Sequence, residues 1–143
     1  MPTVELTIPP LSHYLALVRL VVVNAALAEG SLSSDRTDDL ALAVSEACAN
    51  AVDSERVRET PQPIRIVVEL AQHGVAVTVT DHGGGFVPPV TTASIPAADD
   101  PQRLRHERGL GIPLMRSLAD DVSFSATTEG TAVRLVVGIA PAT

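Results

Sequence analysis

Apolar and polar residues alternate with a period of two over residues 4–8 and 75–80, the signature of strands with one face against a core. Residues 64–70, 122–126 and 132–139 read as three further strands. Between these runs the period lengthens. Leu15, Val18, Val22 and Ala25 form one stripe of a helix over 12–29, with Pro9-Pro10 ahead of it, Ser12 as a cap and Gly30 as its stop. Leu17, Leu20 and Val21 add apolar surface off that stripe, which calls for deep burial or a partner. After a polar loop over 31–37, Ser34 or Asp35 can cap a second helix over 35–56, with Asp38 and Asp39 in its first turn. Leu40, Ala43, Val44, Ala47 and Ala51 mark its buried face. A third helix starts near Gly111 or Ile112, because Pro113 fits only a first turn, and buries Ile112, Met115 and Leu118.

The connections complete the picture. Gln72-His73-Gly74 is a tight turn, so 64–70 and 75–80 form a hairpin. The last two strands join across Glu129-Gly130. Residues 87–106 hold Pro88, Pro89, Pro96 and Pro101 among small residues; a stretch of that length is a lid or is disordered. The order predicts an α/β two-layer sandwich: a mixed, mostly antiparallel sheet covered on one face by helices, in a single domain over 1–143. Regular strand–helix alternation, the mark of a doubly wound fold, is missing.

Composition narrows the chemistry. Hydrophobic residues are 45% of the chain and aromatics 2%, so the core is aliphatic and stacking platforms for single-stranded nucleic acid are missing. A formal net charge of -7 argues against direct nucleic-acid binding and suits a protein partner with a basic face. The single cysteine, Cys48, excludes an intrachain disulfide and a cysteine zinc cluster. The N-terminal residues lack the pattern of a signal peptide, and the run at Leu20-Val21-Val22-Val23 is too short to span a bilayer. The expectation is a cytoplasmic protein with no membrane association.

Three stretches carry candidate chemistry. Asp81-His82-Gly83-Gly84-Gly85-Phe86 ends a strand in a carboxylate and three glycines. Glycine lets a ligand approach the main chain, and Asp81 is an acceptor at the lip of that approach; a glycine loop with no ligand fits the same pattern. Glu46 and Asn50 are four apart and project from one side of the second helix, at the margin of its stripe. A solvated Glu and a surface Asn are the plain alternative. Gly109 and Gly111 open the third helix, where free N–H groups and the helix dipole favour phosphate. The lysine-bearing phosphate loop and the strand-linked G-x-G-x-x-G are both absent.

In order, Glu46-x-x-x-Asn50, Asp81-x-Gly83-x-Gly85-Phe86 and Arg108-Gly109-Leu110-Gly111-Ile112-Pro113-Leu114-Met115-Arg116 resemble the N box and the two glycine boxes of the GHKL ATPases, the superfamily of gyrase, histidine kinases and MutL. The small size and the run from Leu114 to Phe124 resemble the anti-sigma-factor serine kinases of the RsbW and SpoIIAB type. The resemblance implies the Bergerat fold, ATP and Mg²⁺ as ligands, and transfer of phosphate to a serine or threonine. By it, Glu46 is the general base and Asn50 the Mg²⁺ ligand. Asp81 accepts the adenine amino group, and Gly83 and Gly85 admit the nucleoside. Arg108, Gly109, Leu110 and Gly111 contact phosphate, and Thr131 sits near the base. The implied partners are a sigma factor, an anti-anti-sigma protein and a second copy in a homodimer. A binding module that responds to ATP with little kinase activity is the alternative. The family's usual His four residues after the Asn is replaced here by Ser54.

Overall fold

The structure, a computed structural model, describes residues 2–83, 111–127 and 130–138. Five strands, β1 (Thr3–Ile8), β2 (Ile64–Ala71), β3 (Gly74–Asp81), β4 (Asp121–Thr127) and β5 (Gly130–Gly138), form one sheet in the order β1-β2-β3-β5-β4. All four pairings are antiparallel, so the sheet is antiparallel throughout these strands rather than mixed. Among the described residues the α-helices are α1 (Leu15–Glu29), α2 (Ser34–Arg56) and α3 (Gly111–Leu118).

Alternation decides which face of the sheet is covered. Ile64, Ile66, Val68 and Leu70 of β2 point inward, as do Val75, Val77 and Val79 of β3 and Val133, Leu135 and Val137 of β5. They meet Leu40, Ala43, Val44, Ala47, Cys48, Ala51 and Val52 of α2, the central helix of the layer. Burying one such Leu or Ile contributes about 1.5–3 kcal/mol. Small Ala residues at the contact let α2 lie close to the strands. Burial pushes the Cys48 thiol up to about 12, so it is a packing group rather than a nucleophile.

Helix boundaries follow local chemistry, with two differences from expectation. The cap of α2 is Ser33, whose Oγ accepts from the Arg36 N–H, so the helix takes in most of the polar stretch expected to be loop. Ser12 caps nothing: residues Ser12–Tyr14 form a 3₁₀ turn and α1 starts after it without a side-chain cap. Gly30 does end α1, in the left-handed region at φ 73 with its N–H on the Ala26 carbonyl.

The segment Ser12–Glu29 has the length and hydropathy of a membrane span, yet Val18, Val22 and Ala26 are buried in the core of this domain. Its outward side presents Leu17, Leu20 and Leu27, between 42% and 60% exposed; Leu17 and Leu20 are anticipated off-stripe positions, whereas the third of those, Val21, is half-buried. At the far end of the layer, Arg36 of α2 clamps α3 to the sheet. Its guanidinium reaches the Leu118 carbonyl at 3.0 Å and Asp120 at 2.8 Å, while also pairing Asp39 at 2.9 Å.

Candidate functional site

The inward phase of β3 does not stop at its last valine. Asp81 follows Val75, Val77 and Val79 on the covered face and is only 6% exposed. Directly opposite on β5 is Thr131, 2% exposed and in phase with Val133 and Leu135. Two polar side chains therefore sit side by side at the end of the central strands, under the C-terminal half of α2. They open into a cleft lined by Ala47, Asn50, Ala51 and Ser54 of α2, Val79 and Asp81 of β3, Phe124 of β4, and Thr131 and Val133 of β5. The Arg116 guanidinium of α3 lies 5.6 Å over the Phe124 ring, which ties that helix to the cleft's apolar wall.

Two polar atoms in this cleft have no partner among the described residues. Asn50 Nδ2 and Thr131 Oγ1 are both buried without a hydrogen bond. Buried polar groups are almost always satisfied, because leaving one unpaired costs about 1–3 kcal/mol. A ligand with donors and acceptors would satisfy both. Asp81 is held differently: its Oδ1 accepts from the Gly83 N–H at 2.7 Å and from the Ser54 hydroxyl at 3.4 Å. Burial pushes its carboxyl above the usual range, the Gly83 N–H pulls it back, and the nearby Glu55 charge adds to the upward push.

Close backbone approach explains the glycines here. A Cβ on Gly83 would stand 1.7 Å from the Ser54 hydroxyl. A Cβ on Gly130 would stand 1.9 Å from the Asp81 carbonyl oxygen, and Gly130 lies at φ +150. Gly130→Ala is therefore expected to lower stability by at least about 1–3 kcal/mol, measured by denaturant melts, because backbone rather than a side-chain tip must give way.

Of the residues anticipated from the sequence, Asn50, Asp81 and Thr131 meet in one cleft. Glu46 is half-buried one helical turn before Asn50, on the same side of α2, just outside the lining. Gly83 forms the floor of the Asp81 turn. Gly111 is the first residue of α3, which packs on α2. Gly85, Arg108, Gly109 and Leu110 lie outside the described residues, as do Gly84 and the expected lid over 87–106. Among the described residues no group of three or more His, Cys, Asp or Glu could cage a metal. A Mg²⁺ held by one protein oxygen plus substrate phosphates needs no such group, and the Asn50 amide in the cleft lining could supply that oxygen.

Sequence reasoning missed Glu55. Its side chain is fully buried and acts only as an acceptor: Oε1 from the Gln62 N–H at 2.7 Å and Arg58 at 3.1 Å, Oε2 from the His82 N–H. Burial alone would raise its pKa, but the Gln62 and His82 N–H groups and the Arg58 charge together hold it below the usual range. The signal was present: Glu55 falls four residues after Ala51, in phase with the apolar stripe of α2.

Comparison with known proteins agrees with this fold. The model of the histidine kinase-like ATPase domain matches residues 8–137. The serine-protein kinases RsbW of Bacillus mycoides (strain KBAB4) and Bacillus cereus (strain AH820) are each 31% identical over 121 residues, covering 83% of this chain and 74% of the relative. The fold is also that of the structure of the RsbU and RsbW domains of Rv1364c from Mycobacterium tuberculosis, with a TM-score of 0.69 at 17% identity over 96% of this chain. This chain spans 32% of the length of that one. An antiparallel sheet under three helices, with an Asn, an Asp and a Thr converging at one end, thus belongs to a chain of the histidine kinase-like ATPase family, of the RsbW type.

Proposed function

We propose that the cleft binds ATP with Mg²⁺ and that the protein transfers the γ-phosphate to a serine or threonine of an anti-anti-sigma partner, sequestering a sigma factor in the cytoplasm when that partner is phosphorylated. The observation that carries the site is the meeting of Asp81 with two orphaned polar atoms, Asn50 Nδ2 and Thr131 Oγ1, in one cleft. The kinase reading rests on the RsbW relatives.

Each residue has a role in this reading. Asp81 accepts from the exocyclic amine of adenine beside the bare backbone of Gly83. Thr131, with a donor and lone pairs to spare, faces the same end. Asn50 would hold Mg²⁺ through its amide oxygen, the glycines before α3 would receive the phosphates, and Glu46 would orient and deprotonate the attacking hydroxyl. Bound Mg²⁺ would neutralise the phosphate charge, which with positioning is most of what phosphoryl transfer requires. The outward leucines of α1 support a homodimer or partner contact.

Asn50→Ala is expected to weaken ATP binding about tenfold in Mg²⁺ and much less in EDTA, read by calorimetry, since a hydrogen bond or ligand to a charged group contributes about 1.5–3 kcal/mol. Equal affinities in wild type and variant would remove Asn50 from the site. For the activity, labelled ATP with Mg²⁺ and a candidate anti-anti-sigma protein should give label on that protein. Ser54, where the family resemblance implies a His, favours the second reading, an ATP-responsive binding module; nucleotide binding without transfer would establish it.

A further inference from the structure

We propose that the last turn of α2 aims the base-reading carboxylate: Glu55, with Ser54 beside it, is a positioning residue on which adenine selectivity depends. The inference rests on the reading of Asp81 as the acceptor for the adenine amine.

Asp81 has two oxygens, and selectivity requires that one be presented to the base at a fixed angle. Oδ1 is engaged by the Gly83 N–H and the Ser54 hydroxyl. That leaves Oδ2 as the acceptor a ligand can use. The turn that supplies the Gly83 N–H must itself be held, and the residue within it, His82, donates its N–H to Glu55 Oε2. The other oxygen of Glu55 is committed to Gln62 and Arg58, so the carboxylate pins the loop before β2 and the turn after β3 to the same helix end. Glu55 is fully buried and outside the cleft lining, so it acts on the nucleotide through Asp81 alone.

Only an acceptor on both arms can do this. An amide in place of the carboxylate keeps one oxygen and turns an NH₂ group against one of the N–H donors. With two donors on the Gln62 side and one on the His82 side, the His82 contact is the one lost. Ser54 works from the opposite side, and the bare Gly83 gives its hydroxyl room to reach Asp81. The arrangement also sets a second negative charge near Asp81, which pushes that carboxyl up. Unfavourable charge placement of this kind is expected where a site needs geometry more than stability.

The test is the ratio of the dissociation constants for Mg–GTP and Mg–ATP, measured by competition against a fluorescent nucleotide. Mg–tripolyphosphate reports the base-independent part, and Asp81→Asn is run alongside. In Glu55→Gln the ratio should fall about tenfold, and in Ser54→Ala about threefold, with tripolyphosphate affinity within about twofold of wild type. A role in folding alone would lower the melting temperature and leave the ratio as it was. A wild-type ratio in both variants, while Asp81→Asn alters it, overturns the positioning role and leaves the base reading intact. A ratio that Asp81→Asn does not alter overturns the base reading and this inference together. Should Glu55→Gln not fold, Ser54→Ala decides: an unchanged ratio there overturns the proposal.

Discussion

Glu46→Gln is expected to lower phosphoryl transfer to the partner protein by about 10²–10⁴, the contribution of a positioned general base, while ATP affinity stays within about threefold of wild type. The substitution is close to isosteric and removes only the ability to take a proton. Glu46 stands one turn from Asn50 and outside the cleft lining, and on the proposed reading it serves the attacking hydroxyl rather than the nucleotide. Single-turnover transfer and equilibrium binding, measured on the same preparation, separate the two effects. Transfer at the wild-type rate would remove Glu46 from the chemistry and move the search for the base elsewhere on α2.

Asp81→Asn should act on function and stability in opposite directions. The amide oxygen can still accept from the Gly83 N–H and Ser54, which leaves the NH₂ group to face the base. A donor then meets the adenine amine, and ATP affinity should fall about ten- to a hundredfold, the loss expected for one charge-assisted hydrogen bond. Stability responds to the pKa of the native residue. Burial, and then the Glu55 charge, raise the folded-state value above the unfolded one. The folded state therefore binds the proton more tightly. The favourable contribution is fully present below the unfolded pKa and is lost as pH rises through the folded one. At neutral pH the wild type carries that penalty and the Asn variant does not. The variant should melt at or above the wild-type temperature at pH 7, with the gap closing as pH drops below the ordinary carboxylate range. A variant less stable at pH 7 than at pH 4, relative to wild type, would refute the sign.

Glu55 titrates the other way. Its folded pKa is lowered, so its contribution is present above the unfolded value and is lost as pH falls through the folded one. It is common to both proteins, but its charge is coupled to that of Asp81, so it cancels only in part between wild type and the Asp81 variant.

The local patterns were legible because they are properties of adjacent residues. A period of two in β3, a period near 3.6 along α2, a glycine at the end of α1 and a proline in the first turn of α3 each act within a few residues, and the structure follows them. The cap of α2 was misplaced by one residue because Ser33, Ser34 and Asp35 are all able acceptors, and only the chain's entry angle chooses among them. The meeting of Asn50 and Asp81 was read from a resemblance of motifs in order, not from any force between those residues.

What the chain by itself determined was the set of elements, the face each one buries, and the chemistry available at Asn50, Asp81 and Thr131. Insertion of β3 between β2 and β5 was decided only in three dimensions, and it is this pairing that sets Thr131 opposite Asp81. Glu55 shows the same division. A carboxylate in an apolar stripe is merely anomalous along the sequence; packing brings the N–H groups of Gln62 and His82 to it, across 7 and 27 residues of chain. Alternation and helical periodicity come from covalent geometry, which neighbouring residues share. Strand order and a buried acceptor's partners come from the collapse that joins distant segments, and no local pattern encodes them.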